Sequence, residues 1–138
     1  MKSAFILSLA LASVLCSAGA SQAEGDLYSR EFHVCMDKSG GTATDMPDCI
    51  HQENVRQDRL LNANYKKAMD AAGRIHGKTG QRGLKDAETA WLRWRDPGLP
   101  LFQYAGGGTF SQLRAAEDFL EKTARRARFL GELAEMIR

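Results

Sequence analysis

The segment 91–96 (WLRWRD) holds the densest set of side chains that could bind a partner. Trp91 and Arg95 are one helical turn apart and would share a face. A buried indole beside a guanidinium that pairs with a carboxylate or a helix C-terminus would be structural, whereas exposed Trp and Arg are the usual anchors of interfaces. We expect Trp91 to lie in the core. The candidate partner contacts are Trp94, Phe102 and Tyr104.

No pattern of residues marks a catalytic site. Carboxylates that could form a glycosidase-like pair are Glu53, Asp58, Asp86, Glu88 and Asp96. Their spacing sets no two of them across one cleft. The glycine run at 106–108 follows no strand and lacks the lysine of a phosphate-binding loop, and neither a nucleophile-elbow serine nor an HExxH motif occurs. We therefore expect a protein that is not an enzyme.

The first 23 residues have the pattern of a secretory signal peptide. Lys2 makes the N-terminus positively charged, and residues 4–15 form an uncharged apolar run. The small residues at 18 and 20, and at 21 and 23, suit cleavage after Ala20 or Ala23. The run is too short to span a membrane, and no second run of about 18 apolar residues follows. We expect a signal peptide at 1–23 and one periplasmic or secreted domain at 24–138.

Two cysteines, Cys35 and Cys49, follow this leader. An even count in an exported chain favours a disulfide, and closing a loop of about 15 residues is worth about 3 kcal/mol in the chain-entropy account. The alternative is a metal site in which His33 and His51 converge with both thiols, but the spacing lacks the CxxC of structural zinc sites. We expect the disulfide, with no metal and no other cofactor.

Net charge limits the classes of partner, and chain length limits the number of domains. The formal net charge is +2 for the whole chain and +1 without Lys2, which gives no electrostatic basis for binding nucleic acid. About 115 residues after the leader suit a single domain with a modest core. We expect a protein partner, with no nucleic acid and no stable membrane insertion.

Apolar spacing predicts an all-α fold, a bundle of three main helices plus a short N-terminal helix, because no segment alternates with the period of a strand. The last helix is the clearest, with Thr109 and Gln112 at capping-box spacing. On that helix a basic cluster lies near several glutamates, and we expect ion pairs within the helix to account for most of it. The cluster is Arg125, Arg126 and Arg128, and the glutamates are Glu121, Glu132 and Glu135. The predicted helices are Leu27–Met36, Thr44 or Asp45 to Gly77–Gly80, Gly83–Asp96 and Thr109 onward, with an irregular loop at 97–108.

Three blocks of residues occur in an order that resembles the lysozyme-inhibitor LprI-like N-terminal domain family. The first contains Cys35, a Gly-Thr-rich loop, Cys49 and then Leu61-Asn62-x-x-Tyr65; the second contains Trp91-x-x-x-Arg95-Asp96; the third contains Gly107-Gly108-Thr109 and then Thr123-x-x-Arg126-x-x-x-Leu130. The resemblance covers about Cys35 to Leu133, nearly the whole predicted domain.

The resemblance implies an all-helical, disulfide-bonded envelope domain that is not catalytic and whose named member inhibits lysozyme. The family commonly has four cysteines. This chain has residues 97–99 (PGL) and 118–120 (DFL) where the other two are expected. If those two pair with each other, the resemblance implies that Cys35 pairs with Cys49.

We therefore expect an exported envelope binding protein that inhibits a lysozyme by protein–protein contact. One alternative is a structural or assembly module of the envelope, which would expose an apolar stripe on the last helix. The other is a small hydrolase or metal-binding protein, supported only by scattered His, Asp and Glu residues.

Overall fold

Helices account for nearly all of the chain that the structure, a computed structural model, describes: residues 26–42, 44–104 and 106–137. They are α1 (Arg30–Ser39), α2 (Met46–Arg95), α3 (Gly98–Tyr104) and α4 (Gly108–Met136). No strand occurs within these ranges, which confirms the all-α prediction. The predicted signal peptide at 1–23 lies outside the described residues.

Helix α2 reverses direction at Gly77. This residue has φ 58° and ψ −148°, a backbone conformation that favours glycine. Beyond it, the Nε2 of Gln81 donates a hydrogen bond to the carbonyl oxygen of Met69 at 3.4 Å, although 12 residues of straight helix would span about 18 Å. Helix α2 therefore consists of two antiparallel arms, 46–76 and 78–95. The reversal falls at the first of the two predicted glycines, and the second arm resumes directly rather than at Gly83.

Helix α4 packs against both arms and completes the predicted three-helix bundle. It runs parallel to the first arm, where the Nδ2 of Asn64 donates to the carbonyl oxygen of Ala127 at 2.8 Å. It runs antiparallel to the second arm, since Arg126 meets Glu88 and the guanidinium of Arg95 lies over the ring of Phe119. The core between these helices combines leucines with small residues that allow close approach. Its buried members are Leu61, Ala68, Ala127, Leu130 and Ala134.

Helix α1 is tied to the start of α2 by the predicted Cys35–Cys49 disulfide, which is confirmed, with Cα atoms 5.7 Å apart. The helix begins three residues later than predicted, because the side chain of Ser29 caps it by accepting a hydrogen bond from the backbone N–H of Phe32 at 3.1 Å. A second buried cluster forms where α1, α2 and α4 meet. Its members are Phe32, Cys49, Ile50 and Leu120.

Two predictions for the segment before α4 are wrong. The loop expected at 97–108 contains α3, and Pro100 lies in its first turn, where a missing N–H has no helical acceptor. Helix α4 begins at Gly108 with Gly107 as its N-cap and no side-chain capping bond, so Thr109 does not form the predicted capping box. Consecutive positive φ values at residues 106–108 make this turn instead. None of the described helices is both long and apolar enough to span a membrane.

Candidate functional site

Two guanidinium groups lie close to the half-buried indole of Trp91. The Cζ of Arg95 is 4.9 Å from its ring centroid and the Cζ of Arg126 is 5.6 Å away, both within the range of cation–π attraction. Trp91 also packs on the edge of the core formed by α2 and α4. The predicted core position is therefore an edge position, in which one part of the indole packs inward and the arginines cover the rest.

Arg126 connects α4 to the second arm of α2. Its Nε and Nη2 lie 2.9 and 2.8 Å from Oε2 of Glu88, and the two side chains are only 15% and 9% exposed. This ion pair joins two helices, whereas we expected Arg126 to pair within its own helix. Arg125 does pair within α4, with Glu121 at 2.8 Å.

Trp94 faces outward from the second arm and is 61% exposed. It borders an open groove of about 450 Å³ between this arm and α4, called here the Trp94 groove. The Nζ of Lys122 lies 4.6 Å from the Trp94 ring and 2.6 Å from Oδ2 of Asp118. The 44% exposed ring of Phe129 lies at the same groove. Arg125 and Arg126 also line this groove, and aromatic residues and arginine are enriched at protein interfaces.

A second exposed apolar surface lies where α3 leads into α4. We call it the α3–α4 corner and define it by Leu101, Tyr104 and Phe110, which are 68%, 89% and 73% exposed. Tyr104 is therefore open to a partner, as a contact residue must be. Phe102 is half-buried and lines a cavity beside Tyr28, on the α1 side of α4. Sequence reasoning missed Phe110, although an aromatic residue two positions after the glycine run 106–108 was a signal for it.

The residues of the family resemblance mostly build the bundle. Leu61, Thr123 and Leu130 are buried between the helices, and Tyr65 packs beside them. Burial, together with the nearby carboxylate of Glu88, raises the pKa of the Tyr65 hydroxyl.

Four other resemblance residues shape local structure. The exposed Asn62 donates to the backbone oxygen of Asp58 at 2.9 Å. Gly107 and Gly108 form the turn into α4. Asp96 accepts a 2.9 Å hydrogen bond from the Nε of Arg95.

Sequence reasoning also missed the role of Glu53. Its buried carboxylate accepts hydrogen bonds from the backbone N–H and hydroxyl of Ser29 at 2.9 and 2.5 Å, from Gln57 at 2.7 Å and from Arg56 at 3.0 Å. Burial alone would raise the pKa of Glu53, but these hydrogen bonds outweigh it and lower the pKa below the ordinary value of 4.5. The carboxylate thus anchors the start of α1 on α2. Within the described residues, no three His, Cys, Asp or Glu side chains are grouped so as to hold a metal ion.

Comparison with known proteins identifies a family for this chain. The model of a family described as lysozyme inhibitor LprI matches residues 35–130. No curated protein and no solved structure matches the chain. The matched range covers more than half of the chain and includes both disulfide cysteines, both arms of α2 and most of α4.

Proposed function

Because the chain belongs to the LprI lysozyme inhibitor family, we propose that it is an exported envelope protein that inhibits a lysozyme by binding it. The family match over residues 35–130 is the observation that carries this proposal. Two features support export: the signal-peptide pattern of residues 1–23 and a disulfide of the kind that persists outside the cytoplasm.

We assign the lysozyme contact to the α3–α4 corner. Leu101 and Tyr104 are three residues apart on α3 and therefore share a face, and Phe110 follows in the first turn of α4. Exposed apolar side chains grouped in this way mark interaction surfaces, and aromatic residues supply much of the binding energy at such surfaces. A short helix and a glycine turn that present these side chains suit insertion into a cleft better than the flat side of the bundle does.

The charge of the domain favours short-range contact over long-range attraction. Lysozymes of the common animal type are basic, and the predicted domain has a formal net charge of only +1. Electrostatic steering would require an acidic inhibitor. Binding through apolar and aromatic side chains should therefore depend only weakly on salt concentration.

An assembly module would expose the apolar stripe of the last helix. Instead, Leu120, Ala127, Leu130 and Ala134 are buried against the rest of the bundle. The structure therefore favours a self-contained domain that binds through its ends and grooves.

A turbidity assay tests the proposal. Oxidised protein 24–138 is added to lysozymes of several types during the clearing of cell walls, and saturable slowing is expected. Tyr104→Ala and Phe110→Ala should weaken inhibition, whereas Ile75→Ala, a matched control at a 49% exposed side chain near the reversal of α2, should not. Absence of slowing by roughly micromolar protein with every lysozyme would disprove the proposal, since specific protein pairs usually bind at or below that concentration.

A further inference from the structure

A cavity of about 280 Å³ lies where the first arm of α2, the end of its second arm and the beginning of α4 meet. We call it the Asn54 cavity. Asn54, Arg95 and Gln112 contribute polar groups to its lining, and Ala116 and Phe119 contribute apolar surface. Its volume is below the roughly 300–1,000 Å³ of small-molecule sites, so it suits one inserted chemical group.

The side-chain carbonyl of Asn54 lacks a hydrogen-bond donor. Its Oδ1 is buried, and no described residue donates to it. Buried polar atoms are nearly always paired, and an unpaired one lowers the stability of the fold. Because this oxygen has almost no accessible surface, the Asn54 side chain has to rotate toward the cavity before the N–H group of a ligand can supply the missing hydrogen bond.

Arg95 provides the complementary donors at the same cavity. Its Nε donates to Asp96, whereas neither Nη donates a hydrogen bond to any described residue. The guanidinium is 4.9 Å from the Trp91 ring and 4.3 Å from the Phe119 ring, and its side chain is only 11% exposed. The two rings hold the guanidinium in place, so it offers fixed donors to a carbonyl oxygen.

An amide satisfies both groups at once, because it carries one carbonyl acceptor and at least one N–H donor. A carboxylate would offer no donor to Asn54, and the carboxylates of Asp96 and Asp118 at the same cavity would repel it. An ammonium group would offer no acceptor to Arg95 and would be repelled by its charge.

We propose that the Asn54 cavity binds an amide group of a protein partner, either a backbone peptide or the side chain of an Asn or Gln residue. This inference rests on the proposed function, since it takes the partner to be a protein. It adds a polar, orientation-fixing contact to the apolar contact at the α3–α4 corner. An N-acetyl sugar carries the same amide chemistry, so the test must separate the two sources.

The first measurement is NMR titration of ¹⁵N-labelled protein 24–138 with N-acetylglycinamide and, separately, with N-acetylglucosamine. Saturable shifts are expected for the Asn54 side-chain amide and the Arg95 Nε–H with the peptide amide. Shifts that never saturate, or that spread over the whole surface, would overturn the inference. Stronger binding of the sugar would overturn the assignment to a protein partner.

Two variants remove the site in different ways. Asn54→Leu deletes the unpaired carbonyl and should leave stability unchanged or raised, while Ala116→Leu fills the cavity. Both should abolish the saturable shift of the Arg95 Nε–H, whereas Ala90→Leu, at an exposed position of the second arm, should retain it. Retention of the Arg95 shift in Asn54→Leu would contradict the assigned role of the Asn54 carbonyl.

The lysozyme assay separates failure of the inference from failure of the proposed function. If wild-type protein inhibits a lysozyme and Asn54→Leu inhibits it equally well, the inference is wrong and the proposed function stands. If no lysozyme is inhibited, the proposed function is wrong, and the titration still decides whether the cavity binds an amide.

Discussion

Arg126 and Glu88 form a nearly buried ion pair that joins α4 to the second arm of α2, with the Nε and Nη2 of the arginine 2.9 and 2.8 Å from one carboxylate oxygen. The attraction between the two charges offsets the free-energy cost of removing them from water. The two residues are 38 positions apart in sequence, so the ion pair forms only when α4 packs against the second arm of α2.

Removing only the arginine should therefore destabilise the bundle strongly. Arg126→Met leaves Glu88 buried without a cation and should lower the free energy of unfolding by about 3–5 kcal/mol. Arg125→Met removes a largely exposed pair with Glu121 and should lower it by less than about 1 kcal/mol. Urea denaturation of both variants measures the difference.

The double variant Arg126→Met/Glu88→Leu provides the control for this explanation. Two apolar side chains of similar size should pack between the helices and restore most of the stability. If the double variant is as unstable as Arg126→Met, the loss comes from disturbed packing rather than from an uncompensated charge.

The two tryptophans of the segment 91–96 should differ sharply in their effect on stability. Trp91→Ala removes an indole that packs on the core and contacts two guanidinium groups. It should lower the free energy of unfolding by about 3 kcal/mol, near the low end for such truncations, because the indole is only half-buried. Trp94→Ala should change it by less than about 0.5 kcal/mol, since that side chain is 61% exposed. Thermal unfolding compares them, and equal losses would contradict the structural assignment.

The sequence was sufficient to predict the helical class, a helix break at glycines 77–80 and the disulfide, because each depends on local signals: apolar periodicity, the glycines and the two cysteines. It was insufficient for the partner of Arg126. Glu121 and Glu132 lie five and six residues from Arg126 on the same helix, whereas Glu88 is 38 residues away and becomes its partner only after folding. The unpaired carbonyl of Asn54 could not be predicted for the same reason, since its environment comes from three separate segments of the chain.

Acid should destabilise the protein through Glu53. Hydrogen bonds lower its pKa in the folded state below 4.5, so as pH falls the unfolded chain takes up this proton first. The stabilisation from Glu53 is therefore complete above about pH 4.5 and is lost as pH falls through the folded-state pKa. The free energy of unfolding, measured by urea denaturation across this range, should decrease accordingly.

Glu53→Gln isolates this contribution. The variant should be less stable at neutral pH, because Ser29 and Arg56 lose a charged acceptor, and its stability should fall less steeply below pH 4.5. Glu121→Gln, which removes a half-exposed carboxylate, should keep the wild-type pH profile. Identical profiles for wild type and Glu53→Gln would show that other carboxylates cause the acid sensitivity.

The close contact between α4 and the first arm depends on Gly131. A Cβ atom at this position would lie 2.9 Å from the Nδ2 of Asn64, which cannot move freely because it donates to the carbonyl oxygen of Ala127. Gly131→Ala should therefore destabilise the protein despite the better helix propensity of alanine. Gly83→Ala is the matched control, since a Cβ there meets no atom within 4 Å, and it should stabilise the protein by up to about 1 kcal/mol. If thermal unfolding shows that Gly131→Ala lowers stability and Gly83→Ala raises it, the helix contact, rather than local propensity, selects glycine at position 131. A gain in stability for both variants would show that Asn64 can move away.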